Sequence, residues 1–207
     1  MLITFEGIDG SGKSTQVQLL ASWLQERGKK VATFREPGGT VITEKIRSIL
    51  LNKDTEELSY KAELLLFLAA RNHLLMTKIL PLLQNETIVI LDRFSDSTIA
   101  YQGFGRGLNV EEIQQLIEFA TDKLRPHVTF YLDMCFTDTV KRLSAESSRL
   151  DRFETLGESF FEKVRAGYHF LQKREAQRIK MISGKESIET IHSFIIKELQ
   201  ENFSSLL

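Results

Sequence analysis

Short apolar runs alternate along this chain with longer stretches of helical periodicity. The runs at Leu2–Glu6, Lys30–Arg35, Thr87–Leu91, Val128–Asp133 and Arg178–Ile182 predict strands. Between them, apolar residues recur at three- and four-residue spacing. They predict helices near Lys13–Arg27, Val41–Leu51, Ser59–Gln84, Val110–Lys123, Thr137–Glu146 and Glu158–Gln177, with a last one over about Ser187–Asn202. Several strands are apolar on both faces, as strands covered by helices on either side must be. There is no repeat, low-complexity tract or Pro/Gly-rich linker. The alternation therefore predicts a single α/β domain, 1–207, built on an open parallel sheet of five strands with helices on both faces. Ligands in such sheets gather beyond the carboxyl ends of the strands, which here means Gly7, Glu36, Asp92 and Met134 onward.

Composition changes this picture only by exclusion. A chain of 207 residues, 42% hydrophobic and 27% charged, has the make-up of an ordinary soluble globular protein. Its net charge of -1 provides no whole-molecule field for nucleic acid or anionic membrane, so any anion site must be built locally. One cysteine excludes an internal disulfide and every multi-cysteine metal site, and Cys135, following an apolar run, reads as a buried inert thiol. The N-terminus carries no basic leader, and the longest apolar run, Leu64–Ala70, is too short to span a bilayer. A cytoplasmic enzyme or binding domain is expected, with no nucleic-acid or membrane partner.

The candidate chemistry begins at Gly7-Ile8-Asp9-Gly10-Ser11-Gly12-Lys13-Ser14. The spacing is G-x-x-x-x-G-K-[ST], between a predicted strand and a predicted helix. Glycines let backbone N–H groups curl round phosphate oxygens, and the helix N-terminus adds partial positive charge. Lys13 is expected to reach the β- and γ-phosphates and the Ser14 hydroxyl to ligate Mg²⁺, so the chain binds a nucleoside triphosphate. A triphosphate would repel Asp9, whose carboxylate therefore faces either water or the hydroxyl of a second, acceptor ligand.

Three further stretches lie at strand ends or on a neighbouring helix. Arg35 to Thr40, REPGGT, reads as a turn, whether a surface turn with solvated charges or part of a site. Asp92 suits Mg²⁺ or its waters, and Arg93 suits a phosphate dianion through its planar fork; a buried structural Asp–Arg pair is the competing account. Phe67 and Arg71, four apart on one helical face, are either core and edge residues or an aromatic plate and a donor that read one planar base.

Taken together, the phosphate loop with its acid, REPGGT, the DRF..S..AYQG stretch from Asp92 to Gly103, and LDRFE at Leu150–Glu154 resemble the thymidylate kinase family, in its bacterial form, over nearly the whole chain. The resemblance implies the P-loop nucleoside-monophosphate-kinase fold with a short lid at about 146–157. It also implies transfer of the γ-phosphate of ATP to dTMP. ATP would be held by Gly7, Ile8, Asp9, Gly10, Ser11, Gly12, Lys13, Ser14 and Thr15, with Arg142, and Mg²⁺ by Ser14 and Asp92. On the acceptor side Asp9 would bond the 3′-hydroxyl of dTMP, and Arg35 and Arg93 its phosphate. Phe67 would stack on thymine, and Arg71 would donate to its 4-oxo group. Thr98 would sit by the base edge, Ser97 and Gln102 would line the site, and Tyr101 would crowd the 2′ position. Lys13, Arg93, Arg149 and Arg152 would be the catalytic groups.

Two departures from the family pattern stand out. Phe94 replaces the usual tyrosine after Asp-Arg, and Gly10 stands where one branch of the family carries a loop arginine. The second leaves the work to a lid arginine, with Arg149 and Arg152 as candidates. The nucleophile is a phosphate oxygen already ionised at neutral pH, so no histidine is given a role. A homodimer through the long apolar helix is expected.

Overall fold

The computed structural model describes residues 1–52, 58–145 and 156–204. Five parallel strands, β1 (Leu2–Glu6), β2 (Val31–Arg35), β3 (Ile88–Asp92), β4 (Val128–Asp133) and β5 (Ile179–Ser183), lie in the order β2-β3-β1-β4-β5. Two strands keep the predicted bounds, two are shifted by one residue, and β2 starts one later. β1 is central, paired with β3 through Phe5↔Asp92 and with β4 through Glu6↔Tyr131.

Alternation along β1 divides the molecule. Ile3 and Phe5 face one layer, where α1 (Lys13–Gln25) and α9 (Ile188–Phe203) contribute Val17, Leu20, Leu24, Ile195 and Leu199. Leu2, Thr4 and Glu6 face the other. There Leu2 meets Leu74 and Leu75, while Thr4 bonds the Thr129 hydroxyl at 2.7 Å. The second layer is formed by α3 (Tyr60–Leu74), α6 (Val110–Thr121) and α8 (Glu158–Arg174).

Local chemistry sets the helix starts. α2 (Val41–Leu51) opens on a reciprocal capping box between Thr40 and Thr43, and Ser59, Asn109 and Ser187 each accept a backbone N–H at the start of α3, α6 and α9. α3 runs through a π-helical turn, Leu75–Ile79, into α4 (Leu80–Gln84), giving 25 continuous residues. By length and composition that helix could cross a membrane, which no single apolar run indicated; it nevertheless buries Glu63 and Arg71 within the protein.

One element was not predicted. After β3, α5 (Ser95–Thr98) continues as a π-helical stretch, Ile99–Gly105, that includes Gly103 and Gly105. Glycine here permits close contact. A Cβ at Gly105 would lie 2.7 Å from the Phe160 ring, and one at Gly167 would lie 2.9 Å from Ala100 Cα, so α8 packs directly on this helix. The widened turn leaves Thr98, Tyr101 and Gln102 together beside the strand ends. Cys135, expected to be buried, is half-buried just past β4, where its thiol donates to Asp138 Oδ2 at 2.8 Å. α7 (Phe136–Ala145) follows it. The expected lid, 146–157, lies outside the described residues except for its last two positions, and with it lie Arg149 and Arg152.

Below the sheet's active edge, Asp96 is clamped by Arg178 at 2.7 and 2.8 Å and by the Thr129 hydroxyl at 3.1 Å. The Arg178 and Asp96 side chains are 14% and 4% exposed. Removing one partner of such a buried pair costs about 3–5 kcal/mol. Arg178→Met should accordingly lower the melting temperature by about 10 °C, read by differential scanning calorimetry. Both Michaelis constants should stay in place, because the pair touches neither cavity described next.

Candidate active site

Two cavities meet at the carboxyl ends of β1 and β3. The first, an open cleft of about 1340 Å³, is lined by Asp9 through Gln16, Asp92, Arg142 and the β5–α9 segment Lys185–Ile188. The second, about 580 Å³, is lined by Phe67, Arg71, Arg93, Ser97, Thr98, Tyr101 and Gln102, with Glu36, Pro37, Arg47 and Leu51. Asp9 lines both, so it forms part of the wall between them.

The loop after β1 has the shape its glycines allow. Gly7, Gly10 and Gly12 take φ of 140°, 78° and 96°, and a Cβ at Gly7 would meet Leu132 O at 2.7 Å. Lys13, 4% exposed, donates to Ile8 O at 3.0 Å and lies 3.7 Å from Asp9 Oδ1. Burial and the charge of Arg93 depress the Lys13 ammonium below its ordinary value, against the opposing pull of Asp9 and Asp92. The Ser11 hydroxyl, fully buried, has no hydrogen-bond partner among the described residues, as expected of a loop shaped for an oxygen-rich guest. Ser14 Oγ donates to Asp92 Oδ2 at 2.7 Å. Arg142 reaches in from α7, donating to Gly184 O at 2.8 Å. Thr15 is exposed on the same cleft.

The pairing at β3 is not the Asp–Arg pair that the sequence left open. Asp92 turns to Ser14, whereas Arg93 crosses to Asp9, 2.9 Å away, and also donates to Tyr101 Oη at 3.2 Å. Loss of solvation alone would raise the Asp9 carboxyl, but Arg93 and Lys13 outweigh it and hold the group well below the usual carboxylate range. Asp9 is therefore an anion at every ordinary pH, with its side chain 40% exposed to the cavities.

Deeper in the second cavity, each nitrogen of Arg71 is anchored: Nε to Glu36 at 2.7 Å, Nη1 to Thr98 Oγ1 at 2.8 Å, and Nη2 to Phe94 O at 2.9 Å. Phe94 itself is fully buried, with its ring under the Arg71 guanidinium. Arg71 is thus a rigid donor plate, and Phe67, one helical turn away on α3, lines the same cavity. Gln102 donates to Glu63 at 3.0 Å.

Arg35 is placed differently. Its side chain is 54% exposed and pairs with Glu44 at 3.1 Å, outside the residues that line the cavity. Arg47 of α2 lines it instead, while donating to Pro37 O at 2.9 Å. The REPGGT stretch marks Glu36, but no spacing in the sequence marks Arg47, Glu6 or Tyr168. Each reaches the site only through the packing of its element.

For a divalent ion, the geometry offers Ser14 and Asp92 side by side. Among the described residues no group of three or more His, Cys, Asp or Glu side chains gathers. One hydroxyl and one carboxylate beside a phosphate loop fit an ion that keeps its waters and takes its remaining ligands from phosphate.

Comparison with known proteins agrees with this geometry. The family model described as Thymidylate kinase matches residues 5–195. Thymidylate kinases of Chlorobaculum parvum and Kosmotoga olearia are 49% and 44% identical to the chain; they cover 97% and 96% of it, and 95% and 94% of those proteins. The crystal structure of thymidylate kinase from Ehrlichia chaffeensis superposes with a TM-score of 0.78 at 37% identity, covering 97% of this chain and 98% of that one.

Proposed function

This chain belongs to the thymidylate kinase family, and we infer that it transfers the γ-phosphate of ATP to dTMP, giving dTDP and ADP for dTTP synthesis. The observation that carries the residue-level reading is the junction of the two cavities at Asp9. One side offers Lys13, Ser14 and a helix N-terminus, and the other a rigid Arg71 beside an aromatic ring.

On this reading ATP lies in the open cleft, its phosphates on the loop Gly7–Thr15, with Arg142 over its outer side. The dTMP base enters between Phe67 and Arg71, with Thr98 and Gln102 at its edge. Its phosphate meets Arg93, whose present partner Asp9 is then free to accept the 3′-hydroxyl. Arg35 joins that phosphate only by leaving Glu44, so Arg93 and Arg47 are the nearer cations. Tyr101 Oη, beside Arg93, stands where a 2′-hydroxyl would crowd it. The acceptor phosphate is largely ionised at neutral pH, so catalysis reduces to alignment and charge neutralisation. Lys13 contributes to both, and Arg149 or Arg152 completes the neutralisation from the lid. Mg²⁺ is the ion assigned to Ser14 and Asp92; when bound it neutralises charge on the β- and γ-phosphates.

We further read the protein as a cytoplasmic homodimer. Leu65 and Met76, 55% and 47% exposed on the α3 side, and Phe119, 84% exposed on the adjoining α6, support a self-pairing face. Sedimentation equilibrium at micromolar concentration should give twice the 23.8 kDa of one chain, and Phe119→Asp should halve it. A wild-type monomer would end that assignment.

The reaction is tested by ADP release from Mg-ATP with dTMP, dUMP, dCMP, dGMP, thymidine 5′-phosphate bearing a 2′-hydroxyl, and thymidine. dTMP should stand well above the rest; if thymidine or another monophosphate leads, the base-reading roles fall. Lys13→Ala should lower turnover by about 10³-fold or more while calorimetric dTMP affinity stays within about twofold. Arg71→Lys keeps a charge for Glu36 but loses the fork, and should narrow the preference for dTMP over dCMP. A change in melting temperature alone would make Arg71 structural.

A further inference from the structure

Glu6 ends β1 with no solvent exposure and no direct cationic partner among its hydrogen bonds. Its Oε1 accepts the Phe94 N–H at 2.8 Å, and its Oε2 accepts the hydroxyls of Ser97 at 2.5 Å and Tyr168 at 2.9 Å. Those two hydroxyl oxygens, 3.0 Å apart, also face Arg93, whose Nη1 donates to them at 3.3 and 3.4 Å. A hydroxyl has one proton, and a carboxylate can only accept. When Glu6 is ionised, both protons are therefore committed to it, and only lone pairs are left toward the guanidinium. The same residue fixes the backbone below it. Arg93 sits at φ 73°, an uncommon conformation for a side-chain-bearing residue, and the turn is tied to β1 through Arg93 N–H to Phe5 O and Phe94 N–H to Glu6.

We propose that Glu6 is a positioning residue for the acceptor phosphate: by orienting the Ser97 and Tyr168 hydroxyls and holding the turn, it aims Arg93 into the acceptor cavity. This rests on reading Arg93 as the dTMP phosphate ligand. Glu6 acts on the acceptor through Arg93; toward the donor side it makes none of its hydrogen bonds and has only a longer-range charge interaction with Lys13.

Electrostatics accord with such a role. Glu6 is packed against Ser97 and Asp96 of α5, Tyr168 of α8, Arg93 after β3 and, at longer range, Lys13 of α1; Asp96 is itself bound to Arg178 and Thr129. Burial, then the Asp96 charge, raises the Glu6 carboxyl to about 7 against the opposing effects of Ser97, Arg93 and the Phe94 N–H. A carboxyl raised from its unfolded value of 4.5 disfavours the folded state once it must ionise. The stability present below about pH 4.5 is therefore lost as pH rises toward 7. A group kept for stability alone would not be built this way.

The test is Glu6→Gln, which keeps the shape but places an amide N–H₂ where one hydroxyl now donates. KM for dTMP should rise at least about tenfold at pH 8 while KM for ATP moves less than about twofold, the scale of one charge-assisted hydrogen bond. The ratio of variant to wild-type KM for dTMP should grow between about pH 6 and 8, as the wild-type carboxyl ionises and the phosphate ionisation common to both cancels. The melting temperature at pH 8 should not fall. Tyr168→Phe, which keeps the ring stacked on Tyr131, serves if Glu6→Gln folds poorly; it should raise KM for dTMP selectively, and adding Glu6→Gln should raise it little further. If both Michaelis constants rise together with a lower melting temperature, or the KM for dTMP is unchanged, the positioning role is wrong. Arg93→Ala separates the premise: no rise in KM for dTMP there means that the phosphate reading itself has failed.

Discussion

Most of the site depends on one ion pair, that between Asp9 on the phosphate loop and Arg93 on the turn after β3. It joins two adjacent parallel strands at the edge where both cavities open; Asp9 lines both cavities and Arg93 the second. The pair carries its own cost of desolvation, which a partly open geometry and the nearby Lys13 reduce. On the proposed reading, the acceptor phosphate would compete with Asp9 for the Arg93 guanidinium, and the acceptor hydroxyl would replace what that carboxylate gives up. The contact places a carboxylate against a guanidinium, so the two charges balance one another at this edge of the sheet.

The same logic extends inward. Four acids on this side of the sheet are almost completely buried: Glu6, Glu36, Glu63 and Asp96. Three have an arginine directly on them, Arg71 on Glu36, Arg106 on Glu63 and Arg178 on Asp96. Burial of unpaired carboxylates would cost several kcal/mol each, so these arginines are what make the polar interior tolerable. Glu6 differs in reaching its arginine through two hydroxyls; burial raises its carboxyl to about 7, and burial also raises that of Glu36 in spite of Arg71. Geometry at Arg93 is thus maintained at some expense to stability, a trade found where a site needs a fixed charge more than a comfortable one.

Sheet edge and helix packing supply the remaining control. Gly105 and Gly167 allow α8 to rest against the π-helical stretch after α5, and that contact brings Tyr168 within reach of Glu6 and Ser97. Widening of the helix at Ile99–Gly105 displays Tyr101 and Gln102 on the cavity side together with Thr98.

What the sequence by itself determined is the part governed by local rules. Apolar runs marked all five strands, three- and four-residue apolar spacing marked most of the helices, and the phosphate loop was legible because glycine, lysine and serine at fixed spacing have few other uses between a strand and a helix. Phe67 and Arg71 were visible as a helical pair that breaks an apolar stripe. The strand order, the switch of Arg93 from Asp92 to Asp9, the displacement of Arg35 toward Glu44, and the arrival of Arg47, Glu36 and Tyr168 were decided only in the tertiary structure. Residues far apart in the chain carry no mutual spacing, and a charged side chain takes whichever partner the packed backbone brings within about 3 Å. The helix over α5 and Ile99–Gly105 went unpredicted for the same reason: its glycines became contact points only once α8 was laid across them.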